Sequence, residues 1–167
     1  MSEEKMERWR YPRFFTENIS DTSAVLNAED SRHVAQVLRM RPGDIAVICD
    51  GKGTDYLGEL ESAAGECVFN IIESSPNEAE PAVRLRLFQA MPKGDKMDFI
   101  VQKAVECGAC EIIPFISKRC VSRPDGKQLA KKTERWQRIA YEAAKQCGRS
   151  VIPTVDTPLT FADALRA

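Results

Sequence analysis

The spacing of apolar residues changes near the middle of the chain, from short alternating runs to longer helical periods. In the first half, Ile45–Cys49 is an apolar run that predicts a strand, and the Asp-Gly-Lys-Gly sequence at 50–53 is typical of a hairpin turn. Thr54–Ser62 predicts the returning strand, and residues 67–72 predict another. Several short strands joined by glycine-rich turns favour a small β-barrel.

A short helix is predicted from Ala28, ahead of these strands. Acidic residues occupy its expected first turn, and Val34, Val37 and Leu38 form its apolar stripe. Segment 74–81, by contrast, is polar, contains two prolines and shows no periodicity, which is typical of a linker. We therefore place one domain at 12–75 and a second at 82–167.

The second domain alternates strands with helices. Residues 83–91 predict a strand, residues 111–116 a second and residues 151–153 a third. This alternation implies crossover connections and a parallel sheet.

The helices between these strands follow from their apolar faces. The first is capped by Asp95 and ends before Gly108. Its face consists of Met97, Ile100, Val101, Ala104 and Val105. A long helix spans 128–147, with one side made of Leu129, Thr133, Trp136, Ala140, Ala143 and Cys147. Another helix begins at residue 161.

Composition limits the class of protein. The chain has 167 residues, of which 43% are apolar and 29% charged, as in ordinary soluble globular proteins. No apolar run approaches the ~20 residues of a membrane helix. Residues 1–10 are charged and lack the apolar stretch of a signal peptide, so we expect a disordered lead-in there.

Charge is distributed unevenly, although the net charge is only −1. Residues 14–81 contain 4 Lys and Arg against 13 Asp and Glu, whereas residues 93–149 contain 13 against 7. A polyanionic partner facing mainly the second domain would explain the difference. Chance variation of surface charge is the alternative.

The six cysteines are irregularly spaced, and most lie inside apolar patterns: Cys49, Cys67, Cys107, Cys110, Cys120 and Cys147. We expect free thiols in a reducing cytoplasm. The C-x-x-C spacing of Cys107 and Cys110 permits metal or redox chemistry. No second pair and no neighbouring histidine accompany it, so a packing role is favoured.

Three basic segments are candidates for binding an anion. Lys93 and Lys96 flank the start of a helix, where unpaired N–H groups favour phosphates, although an ordinary capped turn has the same pattern. Segment 117–120 (Ser-Lys-Arg-Cys) follows a strand, where ligand-binding loops gather, or is simply a basic loop. The third segment is the polar stripe of the long helix, Arg135, Arg138, Glu142, Gln146 and Arg149, which is either an RNA-binding face or a solvated one.

The first domain offers fewer candidates. His33, Arg39 and Arg41 surround the short helix and its turn. Arg39 is placed to touch a phosphate if this domain meets RNA. The sequence contains no Ser/His/Asp arrangement, metal-ligand set or dinucleotide fingerprint.

Several short motifs together resemble one known family. In the first half these are Pro-Arg-Phe-Phe at 12–15, His-Val-Ala-Gln-Val-Leu-Arg at 33–39, Gly43-Asp44 and Asp50-Gly51. In the second half they are residues 93–98, residues 102–104, Arg119-Cys120, Arg135-Trp136 and residues 142–149. Over about 12–158 the chain is similar to the RsmE family of small-subunit ribosomal RNA methyltransferases, which methylate N3 of a uridine.

The resemblance implies a mixed fold. An N-terminal PUA-like β-barrel at 12–75 would grip rRNA, and an incomplete α/β domain of the SPOUT type, the trefoil-knot methyltransferase class, would occupy 82–167. The cofactor would be S-adenosylmethionine and the substrate small-subunit rRNA. The complete protein would be a cytoplasmic homodimer without a metal.

The family's cofactor-binding segments have no match in this chain. They are a Gly-Pro-Glu-Gly-Gly-like loop and a later Leu-Gly-x-Arg-Ile-Leu-Arg-like stretch. We therefore expect that the C-terminal knot is absent, that no residue here binds the cofactor and that the chain alone is inactive, without tight binding of S-adenosylmethionine.

The resemblance also suggests roles for individual residues. Arg149 and Arg119 would stabilise the uracil oxyanion, and Glu142 would orient Arg149 or act as the base. Contacts to RNA are expected from Arg13, Arg39, Lys93, Lys96, Arg135, Arg138 and Gln146. An RNA-binding module without catalysis and a thiol-redox protein using Cys107 and Cys110 remain alternatives.

Overall fold

The structure is a computed structural model that describes residues 10–120 and 126–167. Most of the predicted lead-in, residues 1–9, lies outside the described residues. The chain forms two compact units. The first comprises the chain up to Glu80 together with Gly148–Val151, and the second comprises Pro81–Cys147 and Ile152–Ala167. The predicted mixed fold is confirmed.

The first unit is built on a curled five-stranded sheet in the order β1-β3-β4-β5-β2. Its strands are β1 (Arg13–Phe15), β2 (Ser23–Val25), β3 (Ile45–Cys49), β4 (Thr54–Ser62) and β5 (Val68–Pro76). Among these described strands, β1 and β3 pair in parallel and the other neighbours pair antiparallel. Alternate residues of these strands point inwards, and the core includes Phe14, Ile48, Leu60 and Phe69.

The predicted hairpin is confirmed, with β3 and β4 at the expected bounds. In its turn, the carboxylate of Asp50 accepts hydrogen bonds from the backbone N–H groups of Lys52 and Thr54. The linker prediction is wrong over its first three residues. Strand β5 continues to Pro76, because β4 is long enough to pair with it as far as Thr54.

The predicted short helix forms as α1 (Ala28–Arg32), but it continues as a π-helix (His33–Leu38). Val34 is buried, whereas Val37 is 68% and Leu38 41% exposed. The prediction that Val37 and Leu38 belong to a buried apolar stripe is therefore wrong. A π-helix has wider turns than an α-helix, so residues three and four positions after Val34 rotate away from its face.

The second unit contains a parallel sheet, as predicted. Strand β7 pairs in parallel with each of the other three strands. The strands are β6 (Leu85–Ala90), β7 (Ala109–Ile116), β8 (Thr154–Val155) and β9 (Leu159–Thr160). The expected strand at 151–153 is wrong, since the strand begins at Thr154 and Val151 pairs instead with Lys52 of the first unit.

The described residues of the second unit form three helices: α2 (Lys96–Glu106), α3 (Gly126–Gln146) and α4 (Phe161–Ala164). The buried side of α2, with Met97, Val101 and Val105, confirms the predicted face. Gly108 follows it at φ +92°, where a Cβ would lie 2.5 Å from Cγ of Pro81, so a glycine is required. Asp95 precedes α2 but its side chain makes no capping bond, so that prediction is wrong.

Candidate functional site

Helices α2 and α3 pack against each other and leave a groove between them, five of whose seven lining residues are polar or charged. The groove has a volume of about 340 Å³. That volume is at the lower end of the roughly 300–1,000 Å³ typical of ligand pockets. Its lining residues are Gln102 from α2 and Arg135, Arg138, Ile139, Glu142, Ala143 and Gln146 from α3.

The sequence of α3 explains why its polar side chains line the groove. Trp136, Ala140 and Ala143 are buried, as the predicted apolar face requires. The polar stripe then falls on the adjoining exposed face, because residues three and four apart lie on one side of a helix.

Asp98 of α2 fixes one end of the groove. Its carboxylate accepts a hydrogen bond from Nε1 of Trp136 at 3.1 Å and forms an ion pair with Arg135. Arg135 is anchored to α2 at the groove rim by this contact. Its side chain remains 63% exposed, so its other donors can reach a ligand.

The chemistry of the groove suits a polyanion with hydrogen-bonding groups. Arg135 and Arg138 offer planar sets of donors that match phosphate oxygens. Gln102 and Gln146 each offer an amide donor and acceptor, which can read the edge of a base. Helix α3 carries six Lys and Arg residues against two Glu, so its field favours negative ligands.

The structure therefore brings together four of the predicted residues, Arg135, Arg138, Glu142 and Gln146, in one groove. Gln102 was not predicted as a site residue, although it belongs to the motif at residues 102–104. Its polar position on the outer side of α2 was the available signal. The pairing of α2 with α3 could not be read from either helix alone.

Three further predicted residues lie near the carboxyl ends of the strands. Strands β6 and β7 run in parallel, and the backbone N–H of Met91 bonds to the carbonyl of Phe115 at 2.9 Å. The loops that follow these strands therefore leave the same edge of the sheet. They carry Lys93 and Arg119, and Lys96 follows the first of these loops as the first residue of α2; all three are exposed.

Arg149 and Arg13 occupy a different environment, the buried polar network of the first unit. Arg149 is only 3% exposed and forms an ion pair with Glu80 at 2.9 Å. Glu80 also accepts hydrogen bonds from the backbone N–H groups of Ser150 and Val151. Nothing in the pattern of the predicted linker indicates that Glu80 binds residues about seventy positions later.

Asp55 is the second carboxylate of this network. It receives two hydrogen bonds from Arg13, at 2.6 and 3.0 Å, one from Asn77 at 2.8 Å and one from Ser150. Burial acts to raise the pKa of Asp55, but the hydrogen bonds from Arg13 and Ser150 outweigh it and lower the pKa. Burial likewise raises the pKa of the adjacent Cys49 thiol, to about 12.

The predicted RNA contacts Arg13 and Arg39 thus differ in accessibility. The guanidinium of Arg13 is directed at Asp55, with 10% of its side chain exposed. Arg39 is exposed and ends the π-helix in a left-handed conformation at φ 53°. The RNA-binding and catalytic roles of all these residues remain predictions.

Residues 10–120 and 126–167 were also searched for disulfides, metal-binding clusters and membrane-spanning helices. All six cysteines are free thiols, and Cys107 is exposed. Across those ranges no cluster of His, Cys, Asp or Glu could hold a metal ion. None of the helices described there is long and apolar enough to span a membrane.

Comparison with known proteins gives two family matches. Residues 79–167 match the model of an RNA methyltransferase domain, and residues 26–72 match that of an RNA methyltransferase PUA domain. The chain is 35% identical to the ribosomal RNA small subunit methyltransferase E of Bacillus subtilis, over 84% of this chain and 56% of the relative. It thus spans about half the length of such curated relatives.

Solved structures agree with these matches. A ribosomal RNA small subunit methyltransferase E from Neisseria gonorrhoeae, bound to S-adenosyl methionine, aligns with a TM-score of 0.83 at 35% identity, over 93% of this chain and 65% of that one. A putative methyltransferase from Legionella pneumophila, in complex with the same cofactor, aligns with a TM-score of 0.83 at 28% identity, over 94% and 66%. This chain therefore belongs to the RNA methyltransferase family, joins a PUA-like unit to a SPOUT-type α/β unit, and is similar to the ribosomal RNA small subunit methyltransferases E.

Proposed function

We propose that the protein transfers a methyl group from S-adenosylmethionine to N3 of a uridine in small-subunit rRNA. The family match and the names of the relatives support the reaction class and the substrate. In this proposal the groove between α2 and α3 binds the RNA. The observation that carries it is the convergence of Arg135, Arg138, Gln102 and Gln146 within the methyltransferase unit.

The positions of the candidate residues decide which of them we assign to the methyl-transfer reaction. Glu142 lies in it and is exposed, so we keep it as a candidate base for the N3 proton. Arg119, exposed after β7, is the remaining candidate for stabilising the uracil oxyanion. Because Arg149 is buried against Glu80, we assign it the structural role of holding its segment in the first unit.

The groove does not fit the cofactor. S-adenosylmethionine carries a positively charged sulfonium, and two arginines in a small groove disfavour a cation. We therefore assign no residue of the groove to the cofactor. The methyl donor is proposed from the S-adenosyl methionine bound to the Neisseria gonorrhoeae and Legionella pneumophila relatives.

We further propose that the complete protein is a cytoplasmic homodimer. The free thiols fit a reducing compartment. The second unit exposes large apolar side chains, including Val83 at 74% and Phe99 at 63%, which fit burial against another surface. Light scattering of the complete gene product tests the dimer, and a monomer at micromolar concentration would contradict it.

The experiment that tests the function measures methyl transfer from labelled S-adenosylmethionine to unmodified small-subunit rRNA by the complete gene product. Arg138→Gln removes one positive charge from the groove, and Lys131→Gln removes one from an exposed position of α3 outside it. We expect the Arg138 variant to lose RNA affinity by on the order of tenfold, since a hydrogen bond to a charged group contributes about 1.5–3 kcal/mol.

The Lys131 variant is the matched control and should change RNA affinity by less than about twofold. Equal losses in both variants would contradict the groove as the RNA site. RNA binding without any methyl transfer would favour the alternative of a non-catalytic RNA-binding module.

A further inference from the structure

We propose that Asp98 is a positioning residue for RNA binding. Its carboxylate holds the side chain of Arg135 in place before RNA arrives, so the groove binds RNA more tightly although Asp98 is itself negatively charged. The inference rests on the proposed function, since it takes RNA as the ligand of the groove. It adds a residue that acts on RNA only through Arg135.

The two oxygens of the Asp98 carboxylate have different partners. Oδ1 accepts a hydrogen bond from Nε1 of Trp136 at 3.1 Å, and Oδ2 accepts one from Nη2 of Arg135. Trp136 is only 3% exposed, so close packing fixes the direction of its ring N–H. The indole therefore orients the carboxylate, and the carboxylate in turn orients the guanidinium.

Arg135 needs such a contact because packing restricts it little. Its side chain is 63% exposed, and an arginine side chain has large rotamer freedom that is lost when it binds a phosphate. The ion pair with Asp98 removes part of that freedom in advance. The guanidinium has five N–H donors, so those that Asp98 does not use remain for RNA.

The negative charge of Asp98 acts in the opposite direction. A carboxylate repels phosphates, so charge alone predicts that removing it strengthens RNA binding. Solvent and salt screen this repulsion, because the Asp98 side chain is 24% exposed. We expect the loss of an ordered arginine to outweigh the lost repulsion. The two effects therefore predict opposite signs for the same substitution.

A purely structural role for Asp98 is the alternative. Asp98 lies in the first turn of α2, where the helix dipole favours a carboxylate. Its two partners lie on α3, so the contact also joins the two helices. If Asp98 acted only through this packing, its effect on RNA affinity would not depend on Arg135.

The test measures the affinity of the complete gene product for unmodified small-subunit rRNA. Asp98→Asn keeps the shape of the side chain and one acceptor for Trp136, but its amide NH₂ group would face Arg135. We expect the affinity to fall on the order of fivefold. Unchanged or tighter binding would overturn the proposal.

Two variants accompany this measurement. Glu134→Gln removes one negative charge from an exposed residue of α3 that does not line the groove, and it should bind within about twofold of the wild type. Asp98→Glu keeps the charge, and the exposed Arg135 can follow the longer side chain, so most of the affinity should return. A loss in Asp98→Glu as large as in Asp98→Asn would contradict the role of the carboxylate.

A double-mutant cycle separates positioning from packing. Arg135→Gln should weaken RNA binding on the order of tenfold. In that background Asp98→Asn should change the affinity by less than about twofold, because no guanidinium is left to position. A fivefold loss in both backgrounds would overturn the proposal, since it would show that Asp98 acts through the packing of the helices.

The salt dependence of binding is a second readout. Arg135→Gln removes a phosphate contact and should reduce the slope of log affinity against log salt by about 0.7–0.9. Asp98→Asn leaves Arg135 charged and able to reach the phosphate, so the slope should not fall. A slope reduced as much as in Arg135→Gln would contradict positioning, since the contact itself would then be lost.

The outcomes separate this inference from the proposed function. A loss of affinity in Arg135→Gln but not in Asp98→Asn would overturn the positioning role alone. Unchanged affinity in Arg135→Gln would overturn the positioning role and contradict the groove as the RNA site as well. Circular dichroism of each variant confirms that the fold is retained.

Discussion

Replacing Asp55 by asparagine should destabilise the first unit strongly. The substitution keeps the shape of the side chain but removes its charge. Arg13 and Asp55 face each other with only 10% and 7% of their side chains exposed. Without the carboxylate, the guanidinium of Arg13 would remain buried with its nearest counter-charge removed.

The size of the effect follows from the burial of this pair. Removing one partner of a buried ion pair costs about 3–5 kcal/mol, because the other charge is left uncompensated. The amide also turns one acceptor into a donor, so it cannot receive all the bonds that Arg13, Asn77 and Ser150 donate to Asp55. We expect a loss of at least about 3 kcal/mol, which is at least about 12 °C in Tm for a unit of this size.

The assay must report the first unit separately, since two units need not unfold together. Native-state hydrogen exchange of the β4 amides gives the free energy of opening in that unit. Asp21→Asn, an exposed carboxylate of the same unit, is the control and should change it by less than about 0.5 kcal/mol. A loss below about 1 kcal/mol for Asp55→Asn would refute the reasoning.

The stabilisation by Asp55 should also depend on pH, in a direction that follows from its pKa. The pKa of Asp55 is lowered in the fold, because hydrogen bonds from Arg13 and Ser150 outweigh the opposing effect of burial. Its stabilisation is therefore complete above the unfolded pKa of about 3.9 and is lost as pH falls through the lower folded pKa. The difference between wild type and Asp55→Asn should shrink below about pH 4. A difference that widens in acid would contradict the assignment.

Three further predictions concern separate positions. Arg39→Gly should raise the free energy of unfolding by about 1 kcal/mol, since glycine adopts a positive φ without strain, and urea denaturation measures it. Gly108→Ala should cost more than about 2 kcal/mol, because its Cβ would meet Pro81 at φ +92°, and a loss of Tm smaller than about 8 °C would contradict the contact. At pH 8, Cys107 should react with a thiol reagent while Cys49, with a pKa of about 12, stays unmodified until the unit unfolds, as mass spectrometry of the peptides would show.

Local patterns predicted most of the elements. Strands β3 and β4 and the buried face of α2 are each formed by residues close together in the sequence. The spacing of their apolar residues was therefore sufficient to predict them. The π-helix escaped prediction because its apolar residues match an α-helical period, and only the structure shows the wider turn. The extension of β5 to Pro76 depends on the length of its partner strand.

The part of the candidate site that lies on a single helix was predictable from the sequence. Arg135, Arg138, Glu142 and Gln146 lie on one helix, so the helical period alone groups them. Their neighbour Gln102 comes from another helix and requires the packing of α2 on α3. Arg149 continues the same sequence stripe, yet the helix ends at Gln146 and the chain returns to the first unit, where Glu80 binds it.

The most direct test of the account is nucleoside analysis of small-subunit rRNA after reaction with the complete gene product and S-adenosylmethionine. The rRNA is digested to nucleosides, and mass spectrometry identifies the methylated one. The account predicts 3-methyluridine, in an amount that falls sharply with Arg138→Gln and is unchanged with Lys131→Gln. A methyl group on another base, or no methylated nucleoside above the level without protein, would contradict it.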